Sequence, residues 1–527
     1  MPTLTMNSQQ LTVPQDTTLL TAAKQLGIEV PTLCWKEGLE HVTSCMLCMV
    51  ENRQTNTLLP ACSTLVEDGM QIETESDAVV ESRRMALELL LGDHLGDCEG
   101  PCRRACAAGM GIPAMLRQIT QGNWHAAAHI VKRHIALPAT LGRVCPAPCE
   151  KVCRRGAQDA SVGICMLKRF VADIDLASPT PYQPDIAEPS RYRVAIVGGG
   201  PAGLAAAYEL MQSGTACTLF EKQSTLGGAL QSADLKDMLP PAVLDAEIQQ
   251  ITKLGLKVNT GIVIGANISL EELKQQFDAV ILACGEVSSG FAAQLSLAPS
   301  AHDIAIDHKT HCTSDPRVYA CGNVVSPARL AVRALGQGRS TAIAVHQMLH
   351  GANRFDRHRA YDHRLAGKLA PEETAILMEN ASPREHITPA HGAAEGYTQE
   401  EARAEATRCM HCDCRKSQCC LLRRYATEHE IKPGGWKPAE RRRLNVQRHR
   451  NVIYEPGKCI ACGICVRITT AAKEPLGLTF IGRGFDVRIG APLTPSLEEG
   501  LGTVAAACIA ACPTAALSSA TPETETA

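Results

Sequence analysis

Apolar and polar positions along the 527-residue chain change rhythm several times, and each change predicts a different kind of element. Thr3-Leu-Thr-Met, Gln10-Leu-Thr-Val and Gln71-Ile-Glu-Thr alternate and predict short strands, while Thr18 to Leu26 predicts a helix. Residues 82–94 predict a second helix that ends at Gly92, and helix-like segments follow Ile112. Residues 177–190 carry four prolines and predict a linker. At Arg193 the pattern becomes a continuous apolar run, Val194-Ala-Ile-Val197. The turn Gly198-Gly-Gly-Pro-Ala-Gly203 and an Ala-rich stretch to Tyr208 follow. This predicts a buried strand, a tight turn and the opening of a helix. Thr218-Leu-Phe-Glu221 and the apolar part of Phe277 to Gly285 predict further strands. No stretch of 18 apolar residues occurs, so no membrane span is expected.

The length allows three or four domains, and 45% apolar residues suit packed cores. Aromatics are only 3%, so aliphatic side chains and bound cofactors must fill the interior. A formal net charge of −3 argues against a nucleic-acid surface. The first residues lack a basic segment followed by an apolar one, so a signal peptide is not expected and the location expected is cytoplasmic. Against that background 25 cysteines stand out. In a reducing compartment, short-spaced groups of cysteine read as metal ligands rather than disulfides. The runs here suit iron–sulfur clusters better than zinc.

Gly198, Gly200 and Gly203 give the G-x-G-x-x-G spacing between a strand and a helix. The first makes the turn, the second lets a pyrophosphate approach and the third lets the helix pack on the strand. Glu221, 23 residues past Gly198, stands where an acid can bind a ribose hydroxyl. Cys34, Cys45, Cys48 and Cys62 follow C-x10-C-x2-C-x13-C, which suits a [2Fe–2S] cluster, with zinc the alternative. His94 is either a ligand or a solvent-facing histidine after a helix end. Cys98, Cys102 and Cys106, then Cys145, Cys149, Cys153 and Cys165, form the next groups. Cys409, Cys412 and Cys414, with Cys419 or Cys420, suit a [4Fe–4S] cluster or a compact zinc site. Cys459, Cys462, Cys465 and Cys512-Pro513 complete the set.

Pro31-Thr-Leu-Cys34, Ser44-Cys-Met-Leu-Cys48 and Pro60-Ala-Cys62 resemble the N-terminal ferredoxin domain of the complex I large cluster-bearing subunit and of NAD-linked formate dehydrogenases. There, the helix that follows leads into a cluster held by one histidine and three cysteines. Gly142-Arg-Val-Cys-Pro-Ala-Pro-Cys-Glu150 resembles the helical domain of the glutamate synthase small subunit and of dihydropyrimidine dehydrogenase, which holds two [4Fe–4S] clusters. That resemblance implies that Cys102 and Cys153 share one cluster, joined by Cys98 and by His94. It places Cys106, Cys145 and Cys149 in the other, with Cys165 near a late ligand position. One early family cysteine is missing. Glu221 to Gly228, Phe277 to Gly285 and Arg317 to Val325 resemble the FAD-binding segments of the same flavoproteins, with Asn323 after Gly322 where an aspartate is usual. Gly336-Gln-Gly-Arg is expected to open the last helix of that domain. A Cys-x-Leu-Arg resemblance favours Cys420 over Cys419. Residues 452–516 resemble a two-cluster bacterial ferredoxin in which Thr469, Gly502 and Ala505 replace ligands. One [4Fe–4S] site remains, and the second, reduced to Cys508, is expected to be empty.

The fold class implied is multidomain, α+β and α/β. A β-grasp [2Fe–2S] ferredoxin domain spans 1–80 and a helical iron–sulfur domain 81–176, followed by the linker 177–190. A Rossmann-like FAD domain spans 191–352, a connecting region with the Cys-rich motif 353–450, a ferredoxin-like [4Fe–4S] domain 451–516 and a polar tail 517–527. Cys217, Cys284, Cys312, Cys321, Cys419 and Cys508 are expected to be packing residues. In the flavoprotein family a second dinucleotide unit of roughly 130 residues precedes the segment matching Arg317. Here only 31 residues lie between Gly285 and Arg317, and none forms a glycine loop. The expectation is an FAD and iron–sulfur electron-transfer subunit of a soluble oxidoreductase. An NADH-binding flavoprotein-like subunit and a terminal oxidoreductase subunit would be its partners, with electron bifurcation open. A self-sufficient NAD(P)H-dependent oxidoreductase and a non-catalytic redox sensor or scaffold are the alternatives. No acid–base or nucleophilic constellation stands out.

Overall fold

The computed structural model describes residues 1–326, 330–351, 360–434, 441–449, 451–493 and 496–520. The chain forms two compact units, each assembled from separated segments: Met1–Glu99, Arg359–Leu377 and Asp413–Ala527 in the first, Gly100–His358 and Met378–Cys412 in the second. The boundary at Cys412 cuts the Cys-rich motif that the sequence placed in one connecting region.

In the first unit, strands β1 (Thr3–Met6), β2 (Gln9–Thr12), β3 (Met49–Asn52), β4 (Thr57–Pro60) and β5 (Gln71–Glu73) form one sheet in the order β2-β1-β5-β3-β4. Only the β1–β5 pair is parallel. Alternation along β1 turns Leu4 and Met6 inward, where they pack with Leu19, Leu20 and Ala23 of helix Leu19–Gln25. Thr18 caps that helix, its Oγ1 accepting from the Thr21 amide at 3.2 Å. Helix Asp77–Gly92 ends at the predicted glycine, and its buried Arg83 donates to the Met49 carbonyl of β3 at 3.1 Å. Farther along, Val452–Tyr454 pairs antiparallel with Gln447–His449 and with Leu517–Ser519. Leu517–Ser519 was expected to belong to the tail. Leu517 is apolar and buried, and pairing satisfies its backbone, so the segment closes the domain instead. Residues 521–527, the rest of that tail, lie outside the described residues.

In the second unit, β6 (Arg193–Val197), β7 (Ala216–Glu221), β8 (Lys257–Thr260), β9 (Ala279–Leu282) and a later strand, Val318–Ala320, make an all-parallel sheet. Its order, with β12 for Val318–Ala320, is β12-β9-β6-β7-β8. Between β9 and β12 stand only the four-residue helix Phe291–Gln294 and a two-residue hairpin, β10 (Pro299–Ser300) with β11 (Asp303–Ile304). No glycine loop between a strand and a helix occurs in that interval, every residue of which is described. One hydrophobic core runs from helices Ile112–Gln121, Trp124–Lys132 and Ile164–Ala177 into the faces of β6 and β9. The proline-rich stretch is docked rather than free. The Tyr182 carbonyl accepts from Lys132 Nζ at 2.9 Å, and the amides of Ala187 and Ser190 donate to Gln212 and Gly214. The last helix, Ala331–His350, begins before Gly336. Gly336 and Gly338 lie inside it because a Cβ at 338 would come within 2.0 Å of the Ala202 carbonyl, and one at 336 within 2.2 Å of that of Ala107.

Candidate cofactor sites

A cavity of about 740 Å³ opens at the C-terminal ends of β6, β7 and β9, the end at which ligands bind open α/β sheets. Gly198, Gly200, Glu221, Gly228, Gly322 and Asn323 all line it. Gly198 has φ +112°, and a Cβ there would meet the Ala283 carbonyl at 2.2 Å. Gly203 does not line the cavity. A Cβ on it would sit 1.9 Å from the Gly198 carbonyl, so it is the contact that lets helix Pro201–Gln212 lie against the turn. That helix has no side-chain cap, which leaves amide donors for a pyrophosphate. The Glu221 carboxylate accepts from the amides of Gly199 at 2.6 Å and Gln223 at 2.8 Å, which holds it at the lip of the glycine turn. The sequence reading missed Gln337, whose Oε1 accepts from the Gly322 amide at 3.0 Å, and Cys284, which lines the cavity. The size and the two convergent glycine turns fit FAD. Its isoalloxazine would supply the exchange of single electrons and pairs.

Cys34, Cys45, Cys48 and Cys62 are all buried, on the loops around β3 and β4. Cys45 donates to Cys34 and Cys48 to Cys62, which takes Cys34 down to about 5 and Cys62 to about 6 and pushes the two donors up. The Leu33 amide reaches Cys45 Sγ at 3.4 Å. Two thiol pairs facing each other suit a two-iron cluster with one pair on each iron.

In the second unit Cys106, Cys145, Cys149 and Cys165 surround the buried ammonium of Lys168. Burial opposes the Lys168 charge, but the four thiols around it raise its pKa, and its Nζ donates to the Leu141 carbonyl at 3.2 Å. Cys165 donates to Cys145, which falls to about 6, while burial takes Cys149 up to about 12. A different four thiols, Cys102, Cys153, Cys409 and Cys412, line one small cavity. This differs from the expected grouping, in which Cys98 and His94 joined Cys102 and Cys153.

Cys98 and His94 lie in the first unit, and their neighbours are there. The Cys414 amide donates to the Cys98 carbonyl at 3.3 Å. Burial first, then Cys414 and Cys420, take Cys98 up to about 12. Cys420 also rises to about 12, through burial and Cys414, whereas Cys419 is exposed. Lys458 is buried beside Cys414 and Cys98 and ion-paired to Glu455 at 2.7 Å. The His94 ring packs edge-on to His363 at 5.0 Å. Burial, with His363 and Lys458 close by, holds its pKa well below the ordinary value. Its Nδ1 is buried without a hydrogen-bond partner, so the ring is not solvent-facing and is fit to ligate.

Cys459, Cys462, Cys465 and Cys512 line another pocket, closed on one side by Tyr454. The vacated second ferredoxin position is filled by protein. The Glu474 carboxylate accepts from the Thr503 amide at 2.8 Å, and a Cβ on Gly502 would strike it at 1.8 Å. Thr469 Oγ1 accepts from Leu478 N and donates to the Val466 carbonyl. Among the described residues no group of three or more His, Cys, Asp or Glu closes on a single ion-sized point. The thiols of an iron–sulfur cluster stand farther apart, because irons and sulfides lie between them.

Comparison with known proteins divides the chain in the same way. Residues 1–77 match the 2Fe-2S iron-sulfur cluster binding domain. Residues 71–179 match dihydropyrimidine dehydrogenase domain II, 4Fe-4S cluster, and 196–255 match the NAD(P)-binding Rossmann-like domain. The NADP(+)-dependent formate dehydrogenase subunit beta of Moorella thermoacetica is 35% identical over 35% of this chain and 29% of its own length. The NADPH-Fe(3+) oxidoreductase subunit beta of Geobacter sulfurreducens is 41% identical over 35% and 28%. The NAD-dependent dihydropyrimidine dehydrogenase subunit PreT of Escherichia coli K12 is 36% identical over 40% and 50%. The chain thus spans half or less of the length of these relatives. No helix among the described residues is long and apolar enough to cross a membrane. The chain joins a 2Fe-2S domain, a 4Fe-4S domain of the dihydropyrimidine dehydrogenase kind and a Rossmann-like dinucleotide domain, the parts from which oxidoreductase subunits of its relatives are built.

Proposed function

We propose that this chain is an FAD- and iron–sulfur-containing electron-transfer subunit of a multi-subunit oxidoreductase. It relays electrons between a partner subunit that binds NAD(P)H and a second redox partner. The observation that carries the reading is the single dinucleotide cavity. Residues 283–317 hold a short helix and a hairpin where a nicotinamide fold would stand. Subunits named beta among the relatives, each part of a larger enzyme, support a role inside a complex. The ligands proposed are Cys34, Cys45, Cys48 and Cys62 for a [2Fe–2S] cluster and the other thiol groups, with His94, for [4Fe–4S] clusters. Flavin between such clusters can merge single electrons into pairs or split them.

The test is anaerobic reduction of the purified, cofactor-loaded chain. Dithionite is expected to bleach flavin and clusters together, and NADH or NADPH alone to leave the flavin oxidised. Rapid bleaching by either nucleotide overturns the reading. The NAD(P)-binding description of the family matched at 196–255 favours a second reading, in which the cavity itself holds NAD(P). Chromatography of the cofactor released on denaturation separates the two, FAD for the first and a nicotinamide for the second.

A further inference from the structure

The motif Arg408-Cys-Met-His-Cys-Asp-Cys414 looks like the start of one local cluster site. The geometry points to something else. We propose that Cys409 and Cys412 are the second pair of ligands of the [4Fe–4S] cluster whose first pair is Cys102 and Cys153. Cys414, two residues on, then belongs to a separate site with Cys98 and Cys420. The proposal rests on the chain being an iron–sulfur protein and not on its place in an electron-transfer complex.

Three observations carry it. Cys102, Cys153, Cys409 and Cys412 line one cavity, walled by Pro113 and Leu116. A two-arginine clasp fixes the loop after Cys153 to the loop before Cys409. Arg155 is 1% exposed and donates to the carbonyls of Arg408 at 3.1 Å and Ser382 at 2.8 Å. Arg408 is fully buried and donates back to the carbonyls of Ala160 at 2.7 Å and Ser161 at 3.2 Å, with Asp159 and Glu405 balancing the charges. None of these clasp groups is a thiol, so the clasp brings the segments together whether or not metal is bound. Third, the backbone of the 409–412 loop is shaped as in a ferredoxin arm. His411, third in its C-x2-C, has φ +48°, and Ala461, third in Cys459-Ile-Ala-Cys462, has φ +51°. That left-handed residue is uncommon outside glycine, and the His411 amide points at Cys409 Sγ at 3.4 Å. The same pair supplies the early ligands that the helical domain lacks in its own sequence.

The experiment is anaerobic reconstitution of the full chain with iron and sulfide, read by iron content and by electron paramagnetic resonance. Cys102→Ala, Cys153→Ala, Cys409→Ala and Cys412→Ala should each lose about four irons and the same resonance. Cys102→Ala with Cys412→Ala should lose no more than either alone, whereas Cys412→Ala with Cys414→Ala should lose about eight. A loss of about eight irons from the Cys102/Cys412 pair overturns the proposal, as does an unchanged iron content in Cys412→Ala. A second measurement needs no loaded cluster. Mild oxidation of the unloaded full chain, followed by peptide mass spectrometry, should join peptides bearing Cys102 or Cys153 to the one bearing Cys409 and Cys412. Crosslinks confined to residues 409–420 would refute the assignment.

Discussion

Gly203 is a single missing methyl on which the dinucleotide cavity depends. With the Gly198 carbonyl 1.9 Å from its would-be Cβ, any side chain must push helix Pro201–Gln212 off the turn. Gly203→Val is expected to reduce bound flavin at least about tenfold, measured as visible absorbance per protein, while the thiol sites of the first unit still load. Lys168 is a second decisive position. Its buried charge stabilises the reduced, more negative form of whatever the four thiols around it hold. Lys168→Met should therefore lower that cluster's potential by the equivalent of about 1–2 kcal/mol, given an effective dielectric near 20, in a redox titration followed by electron paramagnetic resonance. The two residues differ in how far they could be read from the sequence. A G-x-G-x-x-G between a strand and a helix has few other uses, and a short-spaced cysteine advertises its chemistry. Lys168 and Lys458 are single lysines in ordinary surroundings of sequence, and only the fold shows that thiols face them.

Between elements, the joint of helices Pro138–Val144 and Pro241–Thr252 is made by Glu247, which accepts from the amides of Ala139 at 2.6 Å and Thr140 at 2.8 Å. Burial raises this carboxyl to about 7, against the pull of those amides and of Lys132. The folded state then holds a proton that the unfolded chain releases above its ordinary carboxylate range. Stability contributed by this group is present at low pH and is lost as pH rises from about 4.5 to about 7, by about 3 kcal/mol. The Glu247→Gln protein should lack that slope, measured as the difference in unfolding midpoint from the parent across pH 5–8. Elements themselves were largely legible: period-two alternation gave β1, and the apolar run gave β6, because local burial dictates both patterns. What escaped was pairing at long range. Leu517–Ser519 looks like tail until Val452–Tyr454 lies beside it, and Cys409 belongs with Cys102 through contacts that no local spacing encodes.

At the scale of the whole molecule, 19 cysteines and His94 gather into one two-iron and four four-iron sites. Reconstituted protein should carry about 18 irons and one flavin per chain, by iron assay and absorbance. The vacated ferredoxin position should stay empty, so Glu474→Ala is expected to add no iron.

The cavity shared by Cys102, Cys153, Cys409 and Cys412 also sets a timetable for biosynthesis. Cys409 leaves the ribosome 256 residues after Cys153 (409 minus 153). At about 5–20 residues per second the first two thiols wait roughly 13–50 s for the others. During that interval the nascent helical domain can hold no complete cluster there, and its thiolates stand open to oxygen and to stray copper or zinc. Maturation of this chain should therefore depend on metal delivery after release, and a transient chaperone for half-built thiol pairs would have its binding site within residues 100–153.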